Sequence, residues 1–497
     1  MATHQPLLEN PKTSQCKPLF LILSIAAIIS SSALLATHLT KPSSSDPPLQ
    51  LLHICDQAHN FRESCLAMVS EVVQETYTIC RQMDDVCLLQ VFLKRSTSEI
   101  QKAMKTAEDL NHRIKINDPK VVACLLDCVQ LFELSVDRIL GSVVALQNMS
   151  SRSIEDAHVW LSSVLTNYVT CLDGLVESVR TTMEPGLKEL ISRVRASLAM
   201  LVAVSPLKTR EMEPLNGEFP SWDGSGNYKT VKEAVESSPN NGKNRYVIYV
   251  KKGKYKENVE IGKKKKNVMI VGDGMSSTII TGSLNFIDGT TTFKSATVAA
   301  VGDGFIAQDI WTLSTPTPTD NSSETPTLPE QWISDFIFGD AAVVLQNCKV
   351  VARKPMSGQA NVVIAQGRTD PNQTTGTSIQ NCDRIASLDL DPVIGSVRSY
   401  LGRPWKEYSR TVVMQSCIGN HIDPAGWSVW DGDFALKTLY YGEYMNRGPS
   451  AGTSKRVKWP GYHVITRAEE AKKFTVAELI QGGYWLKSTG VAYTEGL

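Results

Sequence analysis

The chain has 497 residues, 42% of them hydrophobic and 21% charged, with a formal net charge of zero. That length accommodates at least two domains, and that composition excludes both a disordered chain and an all-membrane protein. Neutrality hides a split: residues 1–222 carry 20 basic and 24 acidic side chains, residues 223–497 carry 31 and 27. The more basic C-terminal part suits an anionic polymer, although an ordinary solvated surface explains it as well. The run Lys263 to Lys266 reads first as a solvated turn and only then as a binding patch.

At the N-terminus, Lys12 and Lys17 precede an uncharged apolar stretch, Leu19 to Ala36, long enough to span or nearly span a bilayer. Lysines on its N-terminal side favour a cytoplasmic start and export of the chain beyond the stretch. Residues 1–50 therefore read as a cytoplasmic tail with a signal peptide or a signal anchor. The only small-residue cleavage pattern is Ser31-Ser32-Ala33, which leaves both forms open. Eleven cysteines in an exported chain point to disulfides, and the odd count leaves at least one unpaired, for which Cys16, ahead of the apolar stretch, is the natural candidate. Sequons at Asn148, Asn321 and Asn372 permit glycosylation.

From residue 51 to about 204 the apolar residues recur at helical spacing. Leu125, Val129, Phe132, Val136, Ile139 and Val143 form one stripe, with Asp127, Gln130, Glu133 and Asp137 on the other face. Leu161, Val164, Leu165, Tyr168, Leu172, Leu175 and Val179 form a second. Sequential amphipathic helices of this kind predict an all-α, up-and-down four-helix bundle. Residues 205–222, with Pro206, Pro214, Gly217 and Pro220, read as a linker.

Beyond Asp223 the pattern changes to short β-rich runs such as Tyr246-Val247-Ile248-Tyr249-Val250. Val-Gly-Asp-Gly occurs at 271–274 and again at 301–304. Gln346-Asn347-Cys348, Gln380-Asn381-Cys382 and Gln415-Ser416-Cys417 recur at spacings of 34 and 35. Equivalent residues returning once per coil predict a β-solenoid over 223–497, with the three cysteines stacked as small core residues; a sandwich is the competing reading. Residues 311–334 break the pattern: 14 of these 24 are Thr, Pro or Ser, and the four prolines read as an exposed loop.

Asp335, among Phe336, Ile337 and Phe338, is costly to bury unless a cation holds its charge. Arg403, in Leu401-Gly402-Arg403-Pro404-Trp405, is the candidate cation. A purely structural Asp–Arg pair is the alternative.

These two runs resemble the signature stretches of plant pectin methylesterases. So do Gly253-Lys254-Tyr255-Lys256-Glu257, Val301-Gly302-Asp303-Gly304-Phe305, Arg368-Thr369-Asp370-Pro371-Asn372-Gln373 and Tyr440-Tyr441-Gly442-Glu443-Tyr444, in the same order. The cysteines of the helical region resemble those of plant invertase and pectin methylesterase inhibitors. The resemblance implies a right-handed parallel β-helix after the bundle, and bridges Cys55 to Cys65 and Cys128 to Cys171; Cys80, Cys87 and Cys124 have no counterpart. It implies hydrolysis of methyl esters of cell-wall homogalacturonan to pectate and methanol, without metal or cofactor. Asp335 takes the place of the nucleophile, Arg403 of its orienting partner, and Trp405 of a sugar-seating residue; Phe338, Trp430 and Trp427 are weaker substrate candidates, and Glu257 and Tyr255 are structural.

Three departures matter. The Gln-Ala-Val-Ala-Leu and Gln-Asp-Thr-Leu-Tyr motifs, which in the family supply the oxyanion glutamines and the acid-base aspartate, are replaced by 311–334. Asp340 stands where the family usually has Asn, a charge expected to raise the pKa of Asp335. The linker holds only isolated Lys208 and Arg210 instead of a basic processing pair. The expectation is thus a pectinesterase of impaired activity, on its way to the cell wall, whose partners are methyl-esterified pectin and, within the chain, its own inhibitor-like domain; no nucleic acid is expected, and a membrane only through residues 19–36. The rival is a catalytically silent protein that binds pectin or another esterase. A splicing error would also leave such a low-complexity run.

Overall fold

The computed structural model describes residues 49–79, 84–113, 119–205, 228–284, 290–314, 333–355 and 358–497. The apolar stretch 19–36, the linker, Asn321 and residues 315–332 lie outside them. Among the described residues no helix is long and apolar enough to cross a membrane.

A 3-10 segment, Leu49–Phe61, leads into five helices: α1 (Arg62–Ile79), α2 (Asp85–Arg113), α3 (Pro119–Asn148), α4 (Ser151–Gly174) and α5 (Glu177–Val204). The four long ones form the bundle and bury Leu125, Phe132, Ile139, Leu161, Val164, Leu165 and Tyr168 in one core. The second apolar stripe does not belong to one helix: α4 ends at Gly174 and α5 starts at Glu177, so Leu175 and Val179 pack from opposite sides of a break. Between α3 and α4 the chain turns at Met149, in the left-handed region, and Ser150 caps α4 by accepting from the Ser153 amide. Cys55 is bonded to Cys65 and Cys128 to Cys171. Cys87 is also disulfide-bonded, whereas Cys124 is a buried free thiol in α3.

After a short helix, α6 (Val231–Ser237), come nineteen strands among the described residues, and every ladder is parallel. Parallel pairing between successive coils makes a parallel β-helix and excludes the sandwich. The ladders fall into two stacks. The first holds β1 (Tyr246–Val250), β4 (Val268–Gly272) and β7 (Ile306–Gln308) on one face, β2 (Gly253–Lys256), β5 (Thr278–Gly282) and β8 (Trp311–Ser314) on the next, and β3 (Val259–Ile261) with β6 (Val298–Ala300) on the third. The second pairs β9 (Ile333–Gly339), β12 (Ala360–Gln366) and β15 (Ser399–Pro404); β11 (Lys349–Ala352), β14 (Asp383–Ala386) and β17 (Cys417–Ile418); and β10 (Ala342–Gln346), β13 (Gly376–Gln380), β16 (Arg410–Met414), β18 (Tyr440–Tyr444) and β19 (Tyr462–Val464).

Among the described residues no ladder joins the stacks. The facing edges show it in their burial. All five residues of β4 are buried but only one of three in β7; all five of β13 are buried, while every residue of β10 is half-exposed. Residues 311–334 are not a loop throughout, since Trp311–Ser314 and Ile333–Ser334 are strand.

The registers correct two repeats. Gln346 pairs with Gln380, but Gln380 pairs with Met414, so the spacing of 35 shifts the third copy by one residue. Asn347, Asn381 and Gln415 all sit at positive φ as equivalent turn residues, and Ser416 takes the place below Cys382, whose amide donates to its hydroxyl. Cys417 instead falls beside Asp383 and is half-exposed, leaving two cysteines in the column. The two Val-Gly-Asp-Gly copies are not equivalent either: one leaves β4 and the other enters β7.

Candidate active site

Order within one sheet brings the signature residues together. Asp335 lies on β9, Arg403 on β15, with β12 between them. The Arg403 side chain reaches across, its Nε donating to Oδ1 of Asp335 at 3.0 Å and its Nη2 to Oδ2 at 2.7 Å. Such a two-pronged pair fixes the carboxylate plane as well as its charge. Beneath it, the Trp430 ring centre lies 4.1 Å from the guanidinium, a cation–π contact that holds Arg403 flat. Burial pushes the Asp335 pKa up, and Arg403 pulls it back only in part.

Phe338 and Trp405 meet edge to face, 6.4 Å between centres, and both are half-buried. Gly367 makes room for Trp405: a Cβ there would meet the indole at 3.1 Å. The result is an aromatic shelf beside the Asp–Arg pair, suited to a sugar ring. Trp427 is no part of it. It is buried, stacked on Tyr441 at 4.3 Å, and donates to Glu443 at 3.2 Å. Glu443, paired with Arg456 at 2.7 Å in full burial, is the polar centre of that core. Glu257 accepts from the amides of Val231 and Lys232, capping α6, and Tyr255 donates to the Lys251 carbonyl.

Asp340 is not what raises the Asp335 pKa; burial is. Its carboxylate accepts from Thr166 of α4 at 2.5 Å, Gln373 at 2.7 Å and Gln366 at 3.1 Å. Gln373 organises the Arg368–Gln373 loop, its side-chain oxygen accepting from the Thr369 and Asp370 amides at 2.7 and 3.0 Å while its nitrogen donates to the Ser162 carbonyl at 2.9 Å. Asn372 donates to the Gln57 carbonyl at 3.1 Å, and its own carbonyl lies 2.6 Å from His158. Nothing in the sequence pattern marks Gln373 as a hub, since its partners come from three separate segments. Next to the shelf, Lys406 pairs with Asp173 of α4 at 2.5 Å.

The four-lysine run forms a turn in which Lys264 is exposed and the other three lysines are engaged. Lys263 pairs with Glu133 and Asp137 of α3, Lys265 donates to the Ser238 carbonyl at 2.5 Å, and Lys266 pairs with Asp303. Among the described residues no group of three His, Cys, Asp or Glu side chains could hold a metal ion.

The family model for pectinesterase matches residues 220–323 and 332–483, and that for plant invertase/pectin methylesterase inhibitor matches 50–200. The chain belongs to the pectinesterase family. A pectinesterase/pectinesterase inhibitor of Ficus pumila var. awkeotsang is 50% identical over all of both chains, and pectinesterase/pectinesterase inhibitor 18 of Arabidopsis thaliana is 45% identical over the same share. Pectin methylesterase from carrot is 51% identical over 55% of this chain and 96% of its own, with a TM-score of 0.46. By family and by relatives the chain is a pectinesterase, a carboxylic ester hydrolase acting on pectin, with an inhibitor-like domain. The alignment with the Ficus relative runs over 560 positions against 497 residues here, so that relative holds residues this chain lacks. The family match itself is interrupted between 323 and 332, between β8 and β9.

Proposed function

We propose that the chain seats methyl-esterified homogalacturonan on Trp405, Phe338 and Trp430 and that Asp335, held by Arg403, attacks the ester carbonyl, but that turnover is poor. The observation that carries this is one-sidedness: Asp335 sits on the edge strand facing the break, and among the described residues its charged partner comes only from the intact side. Attack would form an acyl-enzyme and expel methoxide, which needs a proton; water would then release the galacturonate and restore the carboxylate. Loss of a proton donor and of oxyanion donors together costs on the order of 10⁴-fold or more, allowing for non-additivity.

The reading includes the domain layout 51–204, 205–222 and 223–497, export to the cell wall with residues 19–36 as peptide or anchor, and a glycan at Asn148, which is exposed. Contact between bundle and catalytic part is part of it. Methanol release from methylated pectin tests the reading. It should lie near background and change little with Asp335→Ala. Vigorous release abolished by Asp335→Ala would refute it.

A further inference from the structure

We propose that the helical bundle is a permanent brace across an interrupted solenoid, gripping the first stack through α3 and the second through α4, and that the apolar cluster of Met269, Val271 and Ile306 with Val344, Val476 and Leu486 does not hold the two stacks in relation without it.

A solenoid is held by the interface between neighbouring coils, and one missing interface divides it into two weakly related blocks. That interface is the one lacking among the described residues, between β7 or β8 and β9 or β10, where the facing strands are part-exposed. The bundle's ion pairs and side-chain hydrogen bonds divide at the same place, while α4 also runs close to Thr292–Lys294 in the first stack's segment. On α3, Glu133 and Asp137 hold Lys263, Asp127 accepts from Thr291 at 2.7 Å, and Arg138, buried, pairs with Asp303. All of these partners belong to the first stack's segment of the chain. On α4, Ser162 and Thr166 hold Gln373 and Asp340, and Asp173 holds Lys406, all in the second.

The polar face of α3 is thus engaged with the first stack, with Arg138 buried and Glu133 and Asp137 at the exposed rim of the contact. Because α3 and α4 are joined by a two-residue turn and pack along their length, they fix the separation of what they grip. A domain that merely covered a substrate groove would have no need to bind both sides of the break with buried polar groups, since each such group is costly unless paired. The linker's lack of a basic pair fits a bundle that is not meant to leave.

Two experiments on the full-length protein test this. In the first, E133K/D137K breaks the α3 grip by charge reversal and K263E restores opposite charges. Hydrogen exchange in β7 and β10 should speed up by roughly tenfold or more in the double variant, with β13 and the bundle helices unchanged, and return towards the parent in the triple variant. Unchanged exchange in β7 and β10, or equal acceleration in β13, overturns the proposal, as does failure of K263E to rescue. In the second, a sequence-specific protease site is placed within 205–222 and cut. The halves should elute as one species, and the 223–497 part, once released in mild urea and returned to buffer alone, should aggregate or lose strand signal. A released 223–497 part that is monomeric and folded overturns it.

Discussion

The two stacks are built from the same parallel ladder yet differ in what they carry. The first has three strands on its largest face and a core of small aliphatics such as Val259, Ile261, Ile270 and Ile280. The second has five, holds the Trp427–Tyr441 stack and the Glu443–Arg456 pair, and contributes every retained member of the candidate site. A site built from several coils is only as complete as the coils on both its sides. Asp335 shows this: the side with β12 and β15 supplies Arg403, and the side facing the break supplies no charged partner among the described residues.

The comparison breaks first if the second stack does not depend on its polar core. Glu443→Ala would leave Arg456 buried without its carboxylate, a loss of about 3–5 kcal/mol; a thermal scan should show a much earlier transition, with strand exchange rising in β16 and β18 before β4. Arg403→Ala strands Asp335 in the same way, at a cost of about 3–5 kcal/mol less whatever Asp335 regains by taking up a proton. Chemical denaturation at two pH values should find the loss smaller in acid, where the lone carboxyl is neutral.

Overpacking sharpens the comparison in a different way. A methyl at Gly402 would lie 2.9 Å from the Trp427 ring and 3.1 Å from the Ile364 carbonyl, both in the packed interior. Gly402→Ala should cost about 1–3 kcal/mol by denaturant midpoint. Gly262→Ala in the first stack, where a Cβ meets nothing within 4 Å, should cost far less. The smallest effect concerns Asp370, whose pKa burial raises. A carboxyl favoured in its neutral form by folding stabilises below its unfolded pKa and loses that contribution as pH rises through its folded one. Asp370→Asn should flatten stability against pH just above the ordinary aspartate range, by titration of the melting temperature.

The bundle's apolar stripe, the solenoid and the Asp335–Arg403 pair were all legible in sequence, because each rests on a local period or a short run. What escaped depends on register and on partners far apart in the chain. The spacing of 35 looked like one more repeat, yet the extra residue moved Cys417 out of the column and put Ser416 in its place. Asp127, Gln130, Glu133 and Asp137 read as a polar face, and polarity alone does not say whether water or a second domain covers it. Asp340 looked like a charge near Asp335, but its carboxylate is spent on Thr166, Gln373 and Gln366.

The Asn372 amide, bonded to the Gln57 carbonyl, would bear on the order of events in the chain's export. The same nitrogen is the one a glycan would be attached to, and although it would keep one N–H, the sugar would stand where the bundle docks. The bundle leaves the ribosome first and its sequence is complete before residue 372 is made, so docking and sugar transfer would compete for the space around one side chain. Sugar occupancy at Asn372 would then be a chemical record, readable by mass in the finished protein, of which of the two arrived first.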